Sequence, residues 1–300
     1  MADAVAPNAE GKLVIAISSR ALFNLDESHQ IYKQHGVKAY AKHQEDNEDV
    51  ILEPGVGFSL VKKLLNLNTE KTPIDVILLS RNSADTGLRI FNSIEHYGLN
   101  ISRAAFTRGE PTHHLVEAFE ADLYLSSNYK DVQKALEKGY AAASIVGEGS
   151  KNIHKTQLRI AFDGDAVIFS DESEKIYQEK GIAAFEENEK KSANVELKAG
   201  PFKCFLKSLH KIQSTFPEKD NPIRTALVTA RSAPSHKRVI HTMREWGIRI
   251  DESFFLGGLD KGIFLDKFGA DIFFDDQHSH CQSASQYVPT GHVPNGISNE

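Results

Sequence analysis

The chain has 300 residues, 40% of them hydrophobic and 25% charged, with a formal net charge of -6. That length favours two compact units over one, and the composition is that of a globular chain, not a disordered or fibrous one. The acidic balance argues against a nucleic-acid backbone as main partner, which needs clustered Lys and Arg, yet it leaves room for a small phosphate ester whose charge is met locally.

In chain order, residues 1–11 read as a loose start with no basic-then-apolar leader pattern, and nowhere do about 18 apolar residues run together, so neither secretion nor a membrane span is expected. Cys204 and Cys281 are the only cysteines, too few for a disulfide framework, and they suit a reducing compartment; a cytoplasmic protein is expected. The stretch LVIAISSRALFNLDESHQIY at 13–32 reappears without a gap as LRIAFDGDAVIFSDESEKIY at 158–177, an offset of 145. Extended to Tyr40 opposite Phe185, the match holds 11 identities in 28 positions, where average amino-acid usage gives roughly two.

GVGFSL at 55–60 lacks the full glycine fingerprint of a dinucleotide site, and none is expected there. Residues 73–127 then align on 222–276 at an offset of 149 with 13 identities in 55 positions, including Pro73 with Pro222, Gly98 with Gly247 and Asp122 with Asp271. GEGSKN at 147–152 falls where the first copy ends and reads as the linker. Two homologous units follow: 12–148, and 149–300 with a small helical cap at about 174–220.

In the second unit LRIAF at 158, TALVTA at 225, SFFLG at 253 and DIFF at 271 read as strands. PSHKRVIHTMREWG at 234–247 and KGIFLDKFG from Lys261 read as helices, the first with a glycine stop. Strands alternating with helices imply an α/β, Rossmann-like fold with parallel sheets. Tyr177, Phe185, Phe202 and Phe205 read as core aromatics, HSHC at 278–281 as a polar loop whose spacing matches no closed zinc site, and the tail beyond about 290 as a loose end.

Open parallel sheets place their sites at the carboxyl ends of strands. There the second unit carries Asp163 and Asp165, Thr229 and Arg231, and Asp275 and Asp276, with Lys261 opening the helix before the last strand. Such a set suits phosphoryl transfer to a carboxylate: Asp163 attacks phosphorus, and Asp165 moves the proton to the leaving oxygen and from the incoming water. Thr229 and Lys261 meet the phosphoryl oxygens. Mg²⁺ held by Asp163, Asp165, Asp275 and Asp276, with Asp275 leading the last pair, screens carboxylate from phosphate. Gly164, Thr229, Ala230, Arg231 and Lys261 are the phosphate-binding candidates, with capping of the following helix as the other reading of Arg231.

DGDAV after an apolar strand, a Thr ending the next motif strand, a Lys ahead of a helix and a final DD resemble the four motifs of haloacid dehalogenase-like phosphatases. AFDGDAVIFSDESE, PIRTALVTARSA, WGIRIDESFFLGG and IFFDDQ, with SSRALFNLDE and FNSIEHYGLNI in the first half, are similar to the cytosolic 5'-nucleotidase type I family from about 12 to 294. The resemblance implies two haloacid dehalogenase-like units and Mg²⁺-dependent hydrolysis of nucleoside 5'-monophosphates, AMP foremost, with IMP and deoxynucleotides also accepted. It further implies a cytoplasmic homo-oligomer, with a tetramer among the options, and response to a regulatory nucleotide. A sugar-phosphate phosphatase or phosphomutase shares the four motifs; a non-catalytic nucleotide sensor is the alternative of another class, and it has no need of Asp165.

The repeat sets Ser18 opposite Asp163, Arg20 opposite Asp165, Ser80 opposite Thr229, Thr112 opposite Lys261, and Ser126 with Ser127 opposite Asp275 with Asp276. With its carboxylates replaced, the first unit reads as a degenerate copy kept for packing, for shaping the pocket or for holding a regulatory nucleotide.

Overall fold

A computed structural model describes residues 11–147 and 154–299. The first half runs β1 (Leu13–Ser18), α1 (Ser19–Leu22), α2 (Asp26–Asp46), α3 (Phe58–Asn66), β2 (Ile74–Ser80), α4 (Leu88–His96), β3 (Arg103–Phe106), α5 (Leu115–Ala118), β4 (Leu123–Ser126), α6 (Tyr129–Glu137) and β5 (Ala142–Val146). The second half runs β6 (Leu158–Phe162), α7 (Glu172–Lys191), α8 (Lys203–Gln213), β7 (Ile223–Thr229), α9 (His236–Glu245), β8 (Glu252–Phe255), α10 (Gly262–Phe268), β9 (Ile272–Asp275), α11 (His278–Ala284) and β10 (Thr290–His292).

The ten strands among the described residues form one sheet in the order β3-β2-β1-β4-β5-β10-β9-β6-β7-β8. The half-sheets β3-β2-β1-β4-β5 and β8-β7-β6-β9-β10 have matching orders and meet edge to edge. Their junction, with Thr290 opposite Val146 and His292 opposite Ser144, is antiparallel, while the other pairings are parallel. The expectation of separate sheets is therefore corrected: joining the two edges removes a pair of exposed hydrogen-bonding rows. Most of the candidate linker, residues 148–152, lies outside the described residues.

Alternate residues of the second-half strands feed two cores, as strand geometry requires. Ile160, Phe162, Leu227, Ile272 and Phe274 pack in the large core with Leu206 and Leu209 of α8 and Val239 of α9. Ala161, Ala226, Val228 and Phe273 face the other way, towards Leu265 and Phe268 of α10 and Ala284 of α11. Helices thus cover both faces and leave the carboxyl ends of the strands as the place for a site.

The repeat extends to individual bonds. Gly36 in α2 (φ 78°, ψ -174°) and Gly181 in α7 (φ 79°, ψ 178°) break their helices in the same unusual conformation, which glycine alone adopts readily. Each break folds its helix into a hairpin: Ser28 donates to Gln44 at 3.1 Å, and Ser173 to Glu189 at 2.9 Å. Residues with that separation would stand about 24 Å apart along a straight helix.

The halves also grip one another reciprocally. Lys63 of α3 donates to Asp271 at 2.7 and 2.9 Å, and at the corresponding positions Ser208 of α8 donates to Asp122 at 3.1 Å.

Three sequence expectations change. Within the segment assigned to a cap, α8 buries Phe205, Leu206 and Leu209 in the main core, and Phe202 beside it is equally buried, whereas Tyr177 of α7, expected in the core, is exposed. HSHC opens helix α11 instead of forming a loop. The tail beyond 290 is not loose: it supplies β10 and then packs over the turn that follows Asp163, with Asn295 donating to the Ala166 carbonyl at 2.8 Å and Asn299 to the Asp276 carbonyl at 2.9 Å.

Candidate active site

The stretch after β6 departs from regular structure as soon as its apolar run ends. Asp163 is still tied to the sheet, its N–H donating to the Phe274 carbonyl at 2.7 Å, and the chain then turns sharply over Gly164–Ile168 with Ala166 at φ 58°. Neighbouring backbone holds that turn: Phe202 N–H reaches the Val167 carbonyl at 3.0 Å and Gly200 N–H the Ile168 carbonyl at 2.8 Å. A side chain at Gly200 would begin 2.4 Å from the Phe169 carbonyl oxygen, so only glycine permits this approach.

Three strand ends converge here. Lys261, at the start of α10, donates to Asp163 Oδ1 at 2.7 Å and to Asp275 Oδ2 at 2.6 Å. Asp275 Oδ1 also accepts from Gln277 N–H at 2.8 Å and lies 3.4 Å from His280 Nδ1. Asp276 is buried with both carboxylate oxygens lacking a hydrogen-bond partner. Asp163, Asp275 and Asp276 each offer an oxygen within 4.8 Å of the others. An all-oxygen set with two orphaned carboxylate oxygens fits a hard divalent cation.

Electrostatics agree with that fit. Burial pushes Asp163 up to about 7, with Lys261 opposing and Asp275 adding to the rise. Burial and the neighbouring Asp275 push Asp276 up to about 10. Burial also works against ionised Asp275, but Lys261 and His280 overcome it and hold the group at about 2. Lys261 is raised despite its own burial, because Asp163 and Asp275 flank it. One lysine cannot neutralise three close carboxylates, so without a second cation protons must do so.

Asp165, two residues from the nucleophile candidate, points elsewhere. Arg231 grips its carboxylate with two bonds, Nε to Oδ2 at 2.8 Å and Nη2 to Oδ1 at 2.6 Å, so its side chain is not part of the three-carboxylate group. The remaining Arg231 nitrogen, Nη1, donates to Glu189 at 2.6 Å. The guanidinium assigned to phosphate is thus engaged by carboxylates. Burial alone would lower its pKa, and Asp165 with Glu189 more than offset that.

Thr229 ends β7, buried, and a side chain begun at Gly164 would come within 3.5 Å of its Oγ1. Gly164, next to Asp163 in the chain, therefore lies close beside Thr229. Ala230 is exposed at the rim.

The corresponding first-half positions close on themselves. Ser18 Oγ accepts from the N–H groups of Ala21 at 3.3 Å and Ser127 at 3.2 Å; Ser80 bonds Ser19, Thr112 bonds Tyr124, and Ser126 accepts from Asn128 N–H. Arg20 pairs with Asp26 at 2.9 Å.

Sequence reading missed Glu189, Arg238, His280, Asn295 and Asn299 around the site. For Arg238 a signal existed, its identity with Arg89 in the aligned block; Glu189 opposite Gln44 falls just beyond the first one.

No described helix is long and apolar enough to cross a membrane. A family model described as 5'-nucleotidase matches residues 5–300. Human cytosolic 5'-nucleotidase 1B is 40% identical over 295 residues, which cover 93% of this chain and 48% of that protein. The chain thus spans about half the length of this curated relative. No solved structure matches the chain. With the family match running across nearly its whole length and a curated relative 40% identical over 93% of it, this chain belongs to the 5'-nucleotidase family.

Proposed function

We propose that the second-half site hydrolyses nucleoside 5'-monophosphates, AMP foremost with IMP and deoxynucleotides as further substrates, to nucleoside and phosphate. The observation that carries this reading is the meeting of Asp163, Lys261, Asp275 and Asp276 at the strand ends, with Asp165 and Thr229 beside them. Asp163 is the nucleophile; its carboxylate attacks phosphorus and forms an aspartyl-phosphate as the ester bond breaks. Asp165 passes a proton to the departing 5'-oxygen, then takes one from the water that attacks the intermediate and frees Asp163 and inorganic phosphate. Thr229 and the Gly164 turn border the phosphoryl oxygens, and Lys261 meets the charge that builds on them.

Mg²⁺, held by Asp163, Asp275 and Asp276, would supply the positive charge that lets a carboxylate approach a dianionic phosphate. Lys261 alone leaves that charge uncompensated, which supports metal dependence. The family match and the reducing-compartment composition support a cytoplasmic setting. Resemblance alone supports a homo-oligomer and a regulatory nucleotide. The first half, with its site positions bonded internally, is a packing partner that continues the sheet.

Phosphate release from AMP, IMP, CMP, deoxynucleotides and glucose phosphates, measured with Mg²⁺ and with EDTA, tests the reading. Turnover of nucleotides that EDTA abolishes is expected. Turnover confined to sugar phosphates would overturn it in favour of the related phosphatases that share the four motifs.

A further inference from the structure

A ladder of alternating charge runs from the α7 hairpin to Asp165. Glu172 accepts from Arg238 Nη2 at 2.8 Å, and Arg238 Nη1 donates to Glu189 Oε1 at 3.0 Å. Glu189 Oε2 accepts from Arg231 Nη1 at 2.6 Å, and Arg231 closes on both oxygens of Asp165. The side chain of Glu189 is fully buried and that of Arg231 is 3% exposed, whereas that of Asp165 is 18% exposed. Buried charge arrays of this kind contribute little net stability, since apolar replacements often do as well.

The first half contains the control. Arg89 repeats the Arg238 bonds, to the Val50 carbonyl at 2.8 Å where Arg238 uses Val195 at 2.9 Å, and to Gln44 where Arg238 uses Glu189. Asn82 stands where Arg231 would, accepting from Tyr40 at 2.8 Å. The same frame therefore folds with a neutral Gln44 and Asn82. The Glu189–Arg231 charges accompany only the half that keeps Asp165.

We propose that Glu189 is a positioning residue for proton transfer: through Arg231 it fixes the orientation of the Asp165 carboxylate, and the α7 hairpin thereby sets the site's acid–base geometry. This rests on the hydrolytic reading above. Asp165 must deliver a proton to the leaving oxygen and later accept one from water; a carboxylate free to rotate does both poorly.

The test compares Glu189→Gln, which Gln44 shows the frame accommodates, and Arg231→Lys with the unaltered chain, on AMP and on p-nitrophenyl phosphate. The second ester has a leaving group that departs without a proton, so forming the aspartyl-phosphate needs no help from Asp165, while hydrolysing it still does. Both variants are expected to lower kcat for AMP about 10–100-fold with KM within about threefold. Both should still release a rapid burst of about one p-nitrophenol per chain before slow turnover. An AMP kcat in Glu189→Gln equal to that of the unaltered chain would overturn the proposal, as would loss of the burst in parallel with turnover, the mark of general damage to the site. Failure of the unaltered chain to hydrolyse any ester would instead overturn the hydrolytic reading.

Discussion

Asp163, Asp275 and Asp276 crowd three carboxylates around one lysine in a buried place, and their protonation follows from that geometry. Because Asp163 and Asp276 are pushed up to about 7 and about 10, the folded chain binds more protons than the unfolded one from roughly pH 4 upward. Stability without metal therefore falls as pH rises through that window. A divalent cation replaces those protons, so Mg²⁺ should raise Tm more near pH 8 than near pH 5. Thermal melts at both values check this, and an equal or larger gain at the acid end would contradict it. Asp163→Asn should abolish phosphate release, while Asp165→Asn should keep substrate binding and lower kcat about 10²–10⁴-fold; full turnover in the first variant would remove Asp163 as nucleophile. These acids were legible in sequence because they lie at or just past the ends of apolar strands. Glu189 was not, because its meaning lies in a bond to Arg231, 42 residues away.

The turns and hairpins around these residues depend on single glycines. Ala at Gly36 or Gly181 would meet no atom within 4 Å, so the cost of either substitution is backbone strain alone. Each should destabilise by about 1–3 kcal/mol, and by similar amounts, since the two conformations match. Chemical denaturation of both variants checks this; a large inequality would show that the hairpins are not equivalent. Gly200→Ala drives a methyl into the Val167 and Phe169 carbonyls of the turn that follows Asp163. A displacement of about 1 Å there should cost about 10²-fold in kcat, read from the same phosphate-release assay. The strands and the helices α9 and α10 were legible from their apolar patterns and stops. The three-residue β10 was not: it has no periodicity of its own and exists because β5 and β9 flank it.

Across the whole molecule the two copies are bound by a shared sheet edge, a continuous core and the reciprocal contacts of Lys63 with Asp271 and Ser208 with Asp122. The Lys63–Asp271 pair is buried on both sides. Lys63→Ala removes the cation paired with buried Asp271, whose carboxylate keeps the Arg159 N–H at 2.9 Å, with an expected loss of about 3–5 kcal/mol. A single cooperative transition shifted to lower Tm is the expected calorimetric result, and an unchanged Tm would show that the pair contributes nothing across the junction.

The duplication, the α/β class and the positions of the acids could be read from residue order alone, because repeats, periodicity and strand-end chemistry are local signals. The union of two half-sheets, the placement of the tail over the turn that follows Asp163 and the engagement of Arg231 by Asp165 and Glu189 came only with the tertiary structure. Each depends on which segments distant in sequence satisfy one another's backbone bonds and buried charges, and no local pattern specifies that choice.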